Sequence, residues 1–183
     1  MARPAANGTL APVRLELPDP SLVVLVGAAG AGKSTLAARL VPPDAILSSD
    51  AFRGLVSGDE TDQRVTRTAF SILHRELAKR MAARRTTVVD ATSVTAYARR
   101  GLVRRATSAD VPAAAIVLGL PRNLVLARNA TRAGRIVPEE AVLRQLDDLE
   151  RSVRRGLESE GFASIHVLRT AEDVDALVID WRR

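Results

Sequence analysis

The chain has 183 residues, which fits one domain with room for a sizeable core. It has no cysteine, so disulfides, thiolate metal sites and cysteine nucleophiles are excluded, and no apolar run of 18 residues, so no membrane-spanning helix is expected. The net charge of +6 suits a polyanionic partner, although 25 of the 27 basic residues are arginine, a bias that genome composition also produces.

Aromatic residues are only 3% of the chain, so aliphatic side chains must build the core. The first twenty residues contain no apolar stretch of signal-peptide length. They read as a flexible Pro/Ala-rich tail ahead of one domain over residues 21–183, and a cytoplasmic protein is the simplest reading. The apolar run at 22–26 predicts a buried parallel strand. A Gly-rich turn follows, then a helix over 33–40 that Pro42 and Pro43 end. Residues 45–47 predict a short strand closing at Ser48, Ser49 and Asp50, and residues 51–56 a short helix. The acidic loop with Asp59, Glu60 and Asp62 reads as solvated. Val65, Ala69, Leu73, Leu77 and Met81 recur at helical spacing and predict a long helix over 62–84.

A strand is expected at 86–89, ended by Asp90. A helix over 95–107 follows, with Arg99, Arg100, Arg104 and Arg105 on a solvated face. Residues 113–118 predict another strand. Pro121 suits the first turn of a helix over 122–130. Gly134 marks a break, and Pro138, Glu139 and Glu140 open a helix to about 154. A strand at 164–168 and a helix over 171–181 complete the series. His74 and His166 have no partner pattern and read as structural. Strands alternate with helices throughout, which predicts an α/β fold, a five-stranded parallel sheet with helices on both faces.

Gly27-Ala28-Ala29-Gly30-Ala31-Gly32-Lys33-Ser34 matches G-x-x-x-x-G-K-[ST], with a strand before it and a helix after it. Glycines let backbone N–H groups close round phosphates, and the helix start, with Thr35 in its first turn, adds its positive dipole end. Lys33 suits the β- and γ-phosphates of ATP, and the Ser34 hydroxyl suits Mg2+. Lys33 is one of only two lysines in an arginine-rich chain, so an ammonium is kept where a compact charge is needed.

Ligands of open parallel sheets bind outside the carboxyl ends of the strands. Asp50 and Asp90 stand at such ends, and phosphoryl transfer needs a carboxylate to accept the proton of the attacking hydroxyl. Arg53, one helical turn after Asp50, suits a substrate phosphate or the orientation of Asp50. Arg128 and Arg132 share a helix face, Arg135 follows, and residues 122–135 contain four arginines and no acid. That uncompensated face suits a lid, about residues 122–140, that neutralises charge on a transferred phosphoryl group.

These residues resemble the kinase domain of the bacterial polynucleotide kinase–phosphatase family, the RNA end-healing branch of the P-loop phosphotransferases. The resemblance covers about residues 22–181. It is carried by Ser48-Ser49-Asp50-Ala51-Phe52-Arg53-Gly54-Leu55-Val56-Ser57 with Asp59, Glu60, Asp62 and Gln63, by Val88-Val89-Asp90-Ala91-Thr92, and by Arg128-Asn129 with Arg132. It implies a P-loop kinase fold and transfer of the ATP γ-phosphate to 5′-hydroxyl ends of RNA or DNA. In that reading Asp50 is the general base, Arg53 contacts the phosphate beside the acceptor nucleoside, Arg128 and Arg132 contact the donor phosphates, and Asp90 shapes the site. Phosphatase and ligase domains, on the same or another chain, are the expected partners. Ser93 departs from the family, where Asn is frequent. A small-molecule kinase on the same scaffold, for a sugar, nucleoside or antibiotic, is the alternative, and a nucleotide-controlled binding module the third reading.

Overall fold

The structure, a computed structural model, describes residues 13–133 and 136–182. Five strands form one parallel sheet: β2 (Leu22–Val26), β3 (Ile46–Ser48), β4 (Thr87–Asp90), β5 (Ala113–Leu118) and β6 (Ser164–Leu168). Their order is β3-β4-β2-β5-β6, so β2 lies at the centre between β4 and β5. Every residue of β2, β4 and β5 is buried, as strands covered on both faces must be.

The two faces carry separate cores. Val23 and Leu25 point to the side packed by α1 (Lys33–Leu40), α5 (Arg122–Ala130) and the first half of α6 (Glu139–Arg155). Leu22, Val24 and Val26 point to the side packed by α3 (Thr66–Ala82) and α4 (Ala96–Thr107). The period-2 alternation along one strand thus builds both layers. The expected five-stranded α/β architecture is the one observed, and α2 (Ser49–Ser57) follows β3 at the sheet edge.

Two segments differ from the sequence reading, for one shared reason. Residues 13–18, expected as the end of a tail, form strand β1 (Val13–Pro18). The expected terminal helix stops after one capped stretch, α7 (Ala171–Ala176), and the chain continues as β7 (Leu177–Arg182). β1 and β7 pair in parallel as a separate two-stranded sheet, with Leu15 opposite Ile179. Leu15, Leu17, Leu177 and Ile179 face the α1-side core, while Arg14 bonds Asp180 at 3.0 Å on the outside. Val13, Leu15 and Leu17 alternate with Arg14 and Glu16, a short strand pattern that the tail reading passes over, and the strand it pairs with lies 166 residues away. Residues 1–12 lie outside the described residues.

Two further corrections concern charge. Arg99 is not on a solvated face: it is fully buried, on the same stripe as Leu102, Val103 and Ala106. Its guanidinium grips Glu160 with two bonds of 2.7 and 2.6 Å, and it donates to the Ser93 carbonyl at 2.8 Å and to Ser152 Oγ at 3.2 Å. Arg105 likewise donates to the His74 carbonyl at 2.9 Å, leaving Arg100 and Arg104 as the exposed pair. The acidic loop is exposed, as expected, and hydrogen bonds of its own order it. Asp59 accepts from the Thr61 N–H at 2.8 Å, and Asp62 caps a 3-10 turn at Gln63–Val65, which delays the start of α3.

Leu17 is 2% exposed, so Leu17→Ala is expected to lower unfolding stability by about 2–5 kcal/mol, read by urea titration. An unchanged midpoint would place residues 13–18 outside the cooperative fold.

Candidate active site

The phosphate loop leaves β2 and enters α1. The Gly27 N–H donates to the Thr92 carbonyl at 3.1 Å, which ties the loop to the segment after β4. Gly30 has φ +84°, and a Cβ there would stand 2.6 Å from the Val125 carbonyl oxygen on α5. Only glycine fits that conformation and that approach. Gly32, at φ +93°, is the N-cap of α1, and its carbonyl accepts from the Leu36 N–H at 3.0 Å.

Lys33 opens α1 and is buried. Its ammonium donates to the Ala28 carbonyl at 2.9 Å. Burial pushes its pKa down from 10.5 to about 8; Asp90 pulls it back up and Arg132 pushes it further down. Asp90 ends β4, in register with Leu25 of β2 and Ser48 of β3, so the sheet itself places it beside the loop.

Asp50 sits in the first turn of α2, whose N-cap is Ser48. Arg53, buried one turn later, donates from Nη2 to Asp50 Oδ1 and from Nε to the Glu60 carbonyl at 2.9 Å. Ser49 Oγ also donates to Oδ1, at 3.4 Å, and Oδ2 accepts no hydrogen bond among the described residues. Gly54 explains the Arg-Gly pair. A Cβ there would stand 2.9 Å from Glu60 Cγ, so glycine lets the 59–60 loop close onto Arg53.

On the opposite wall, α5 carries Arg128, and Arg132 follows it. Asn129 is buried and donates from Nδ2 to the Val137 carbonyl at 2.8 Å, while its Oδ1 accepts from the Val137 N–H at 3.2 Å. This one side chain fastens α5 to the segment leading into α6, on either side of the expected break at Gly134 and of Arg135, which lie outside the described residues.

These segments converge on one cavity of about 560 Å³. Ala29, Gly30, Gly32, Lys33, Ser34 and Thr35 line it, with Asp50, Arg53, Asp90, Arg128 and Arg132. Gly27, Ala28 and Ala31 do not; Ala28 and Ala31 are buried and Gly27 is packed against Leu118. Sequence reasoning missed Gln145 on α6, whose Oε1 accepts from the Ala29 N–H of the phosphate loop at 2.8 Å. It missed Thr66 and Phe70 on α3, which line the cavity beside Gln63; the Thr66 hydroxyl is buried without a hydrogen-bond partner among the described residues. It also missed Arg99 and Ser152, which fix the carbonyls of Ser93 and Val94 on the cavity wall; Ser93 sits at φ +45°. That conformation suits the Asn of the resembled family better than Ser. Only Arg99 carried a signal, its place on the apolar stripe of α4.

A family model described as an AAA domain matches residues 22–155, well over half of the chain. The chain belongs to the AAA domain family. It has a P-loop kinase fold, with the nucleotide-binding loop that fold implies. Among solved structures, a chain of the Pnkp1/Rnl/Hen1 RNA repair complex matches at 20% identity and TM-score 0.66, over 84% of this chain and 49% of that one. This chain therefore spans about half the length of that relative. A gluconokinase from Sinorhizobium meliloti 1021 matches at 18% identity and TM-score 0.56, over 87% of this chain and 93% of that one. A sugar kinase from Janibacter sp. HTCC2649 matches at 22% and 0.54, over 82% and 85%. At these identities the likenesses show the fold. No curated protein matches the chain.

With Lys33 at the phosphates, as the sequence predicts, nucleotide binding is expected to be pH-linked. Phosphates bound there would raise the Lys33 pKa above its value of about 8, so affinity for ATP is expected to fall as the pH climbs past that value. Calorimetry in buffers of different ionisation heat checks this: proton uptake on binding should grow from about pH 7 to about pH 9, and vanish in Lys33→Met. Uptake that persists in the variant would remove Lys33 from the phosphate site.

Proposed function

We propose that the protein is an ATP-dependent polynucleotide 5′-hydroxyl kinase, acting on ends of RNA or DNA in nucleic-acid end healing. The observation that carries this reading is the Asp50–Arg53 pair in the same cavity as Lys33, Arg128 and Arg132. Arg53 and Ser49 hold Asp50 Oδ1, which leaves Oδ2 for the acceptor hydroxyl. The hydroxyl proton passes to that carboxylate as its oxygen bonds the γ-phosphorus. The bond from phosphorus to the β–γ bridging oxygen breaks, and its electron pair leaves with ADP. Lys33, Arg128 and Arg132 balance the charge on the transferred group and the departing ADP. Gln145, anchored through Oε1, keeps its amide N–H groups for the donor phosphates.

The residues present fit Mg2+. The described residues contain no cluster of three metal-ligating side chains, and Mg2+ is usually held by one or two protein oxygens with phosphates and water. Ser34 would ligate it and Asp90 would order its waters. The ion would neutralise charge on the β- and γ-oxygens.

The RNA repair complex among the structural neighbours supports the polynucleotide reading, as does the basic chain. Phosphatase and ligase partners, and a cytoplasmic setting, belong to the same proposal. A specific observation favours the small-molecule alternative: gluconokinase and sugar kinase match over most of their own lengths.

Incubation with γ-labelled ATP and either a 5′-OH oligonucleotide or a panel of sugars and nucleosides decides between them. Label is expected on the oligonucleotide; label confined to a metabolite contradicts the proposal. Asp50→Ala should retain ATP binding and lose at least ~100-fold in transfer rate.

A further inference from the structure

α3 and α4 pack side by side: Arg105 on α4 bonds the His74 carbonyl of α3, and a Cβ at Gly101 would stand 3.2 Å from the His74 ring. One end of this pair reaches the cavity. Thr66 and Phe70 of α3, with Ala98 of α4 and its cap Thr95, line the wall that Asp50 and Arg53 share.

The outer surface of the pair is basic and uncompensated. Arg67 and Arg75 on α3 and Arg100 and Arg104 on α4 are exposed. None of the four makes an ion pair or side-chain hydrogen bond among the described residues. α4 contains no acidic residue, and Glu76, the one acid of α3, pairs with Lys79 at 3.4 Å. Several other surface arginines, though not Arg154, Arg155 or Arg169, are matched: Arg14 sits on Asp180, Arg85 on Asp44, Arg122 on Asp147 and Glu150. Tyr97, the sole tyrosine, is 86% exposed on the first turn of α4, one residue from cavity-lining Ala98. Arg100 and Arg104 follow it by three and seven residues, so the three share a helix face about 10 Å long.

We infer that the outer face of α3 and α4 is the track on which the single strand behind the acceptor nucleotide lies, with Tyr97 as a stacking platform and Arg67, Arg75, Arg100 and Arg104 against phosphates. Like charges left unpaired on neighbouring helices repel one another, and a phosphodiester backbone relieves that repulsion. An exposed aromatic beside such cations takes any base, because every base has a π-face. A free sugar or nucleoside is too short to leave the cavity and reach this surface. The inference rests on the polynucleotide reading and deepens it.

Two measurements test it together. Fluorescence anisotropy of a labelled 5′-OH single-stranded 12-mer reads binding without chemistry. Steady-state transfer compares that 12-mer with a nucleoside 3′-monophosphate. Arg100→Ala with Arg104→Ala, and separately Tyr97→Ala, should each weaken 12-mer binding and raise its KM by about tenfold or more, with kcat unchanged. KM for the nucleoside 3′-monophosphate should stay the same, and Tyr97→Phe should behave as wild type. The slope of log affinity against log salt should shrink by roughly 0.7 for each phosphate that an arginine no longer neutralises. Equal effects on both acceptors, no effect on the 12-mer, or a wild type that does not bind the 12-mer would each overturn the track. Failure of the kinase reading looks different: the wild type binds the 12-mer and the variants weaken it, yet no label reaches its 5′ end.

Discussion

The Lys33 ammonium lies where water scarcely reaches, and its hydrogen-bond partner is a backbone carbonyl at 2.9 Å. Burial pushes its pKa to about 8, so the folded chain carries a penalty at every pH below that value and sheds it as the pH climbs toward 10.5. The size is on the order of 3 kcal/mol, a large part of a domain's net stability. Arg132 worsens the crowding of positive charge and Asp90 offsets part of it. What completes the arrangement is an anion. The loop is thus preorganised for phosphate before any phosphate arrives, and the surrounding fold has to hold that unfavourable charge in place.

The sheet does this. β2 lies between β4 and β5 with every side chain buried, so the loop that leaves it starts from the stiffest part of the molecule. Parallel pairing sets the carboxyl ends of β2, β3 and β4 side by side, and Asp90 and Asp50 follow from that register. The remaining wall comes from α6. Two of its residues, Gln145 and Ser152, lie two turns apart and reach different loops: Gln145 the phosphate loop, Ser152 the Val94 carbonyl. α6 begins just past the segment that Asn129 pins, so the arginine-bearing wall, the phosphate loop and the loop after β4 are joined through one helix.

Where a local pattern decides the structure, the sequence reading and the structure agree closely. β5, α5 and β6 occupy the residues expected of them, because apolar runs, Pro121 and turn residues act over a few positions. The phosphate loop, Asp50, Arg53, Asp90, Arg128 and Arg132 are brought together as expected, since strand ends and helix periodicity determine them. What was not legible depends on distant partners. β1 has a short alternating pattern of its own, but its partner β7 comes from the far end of the chain. Arg99 looks like one of four surface arginines until Glu160 and Ser152 are placed around it. Gln145 is one polar residue on an amphipathic helix until Ala29 is set opposite. Thr66 and Phe70 lie on the expected helix beside the stripe of Ala69, Leu73, Leu77 and Met81, and no periodicity announces the cavity that they line.

In the proposed reaction Asp50 meets an acceptor hydroxyl opposite a donor phosphate bound by Lys33. A crystal structure with a non-hydrolysable ATP analogue and a 5′-OH dinucleotide tests it most directly. The γ-phosphate is expected against Lys33, Arg128 and Arg132, with the 5′-oxygen in line and within about 3 Å of Asp50 Oδ2. A nucleotide bound in the loop with the 5′-hydroxyl turned away from Asp50, or a dinucleotide seated elsewhere on the molecule, would contradict it.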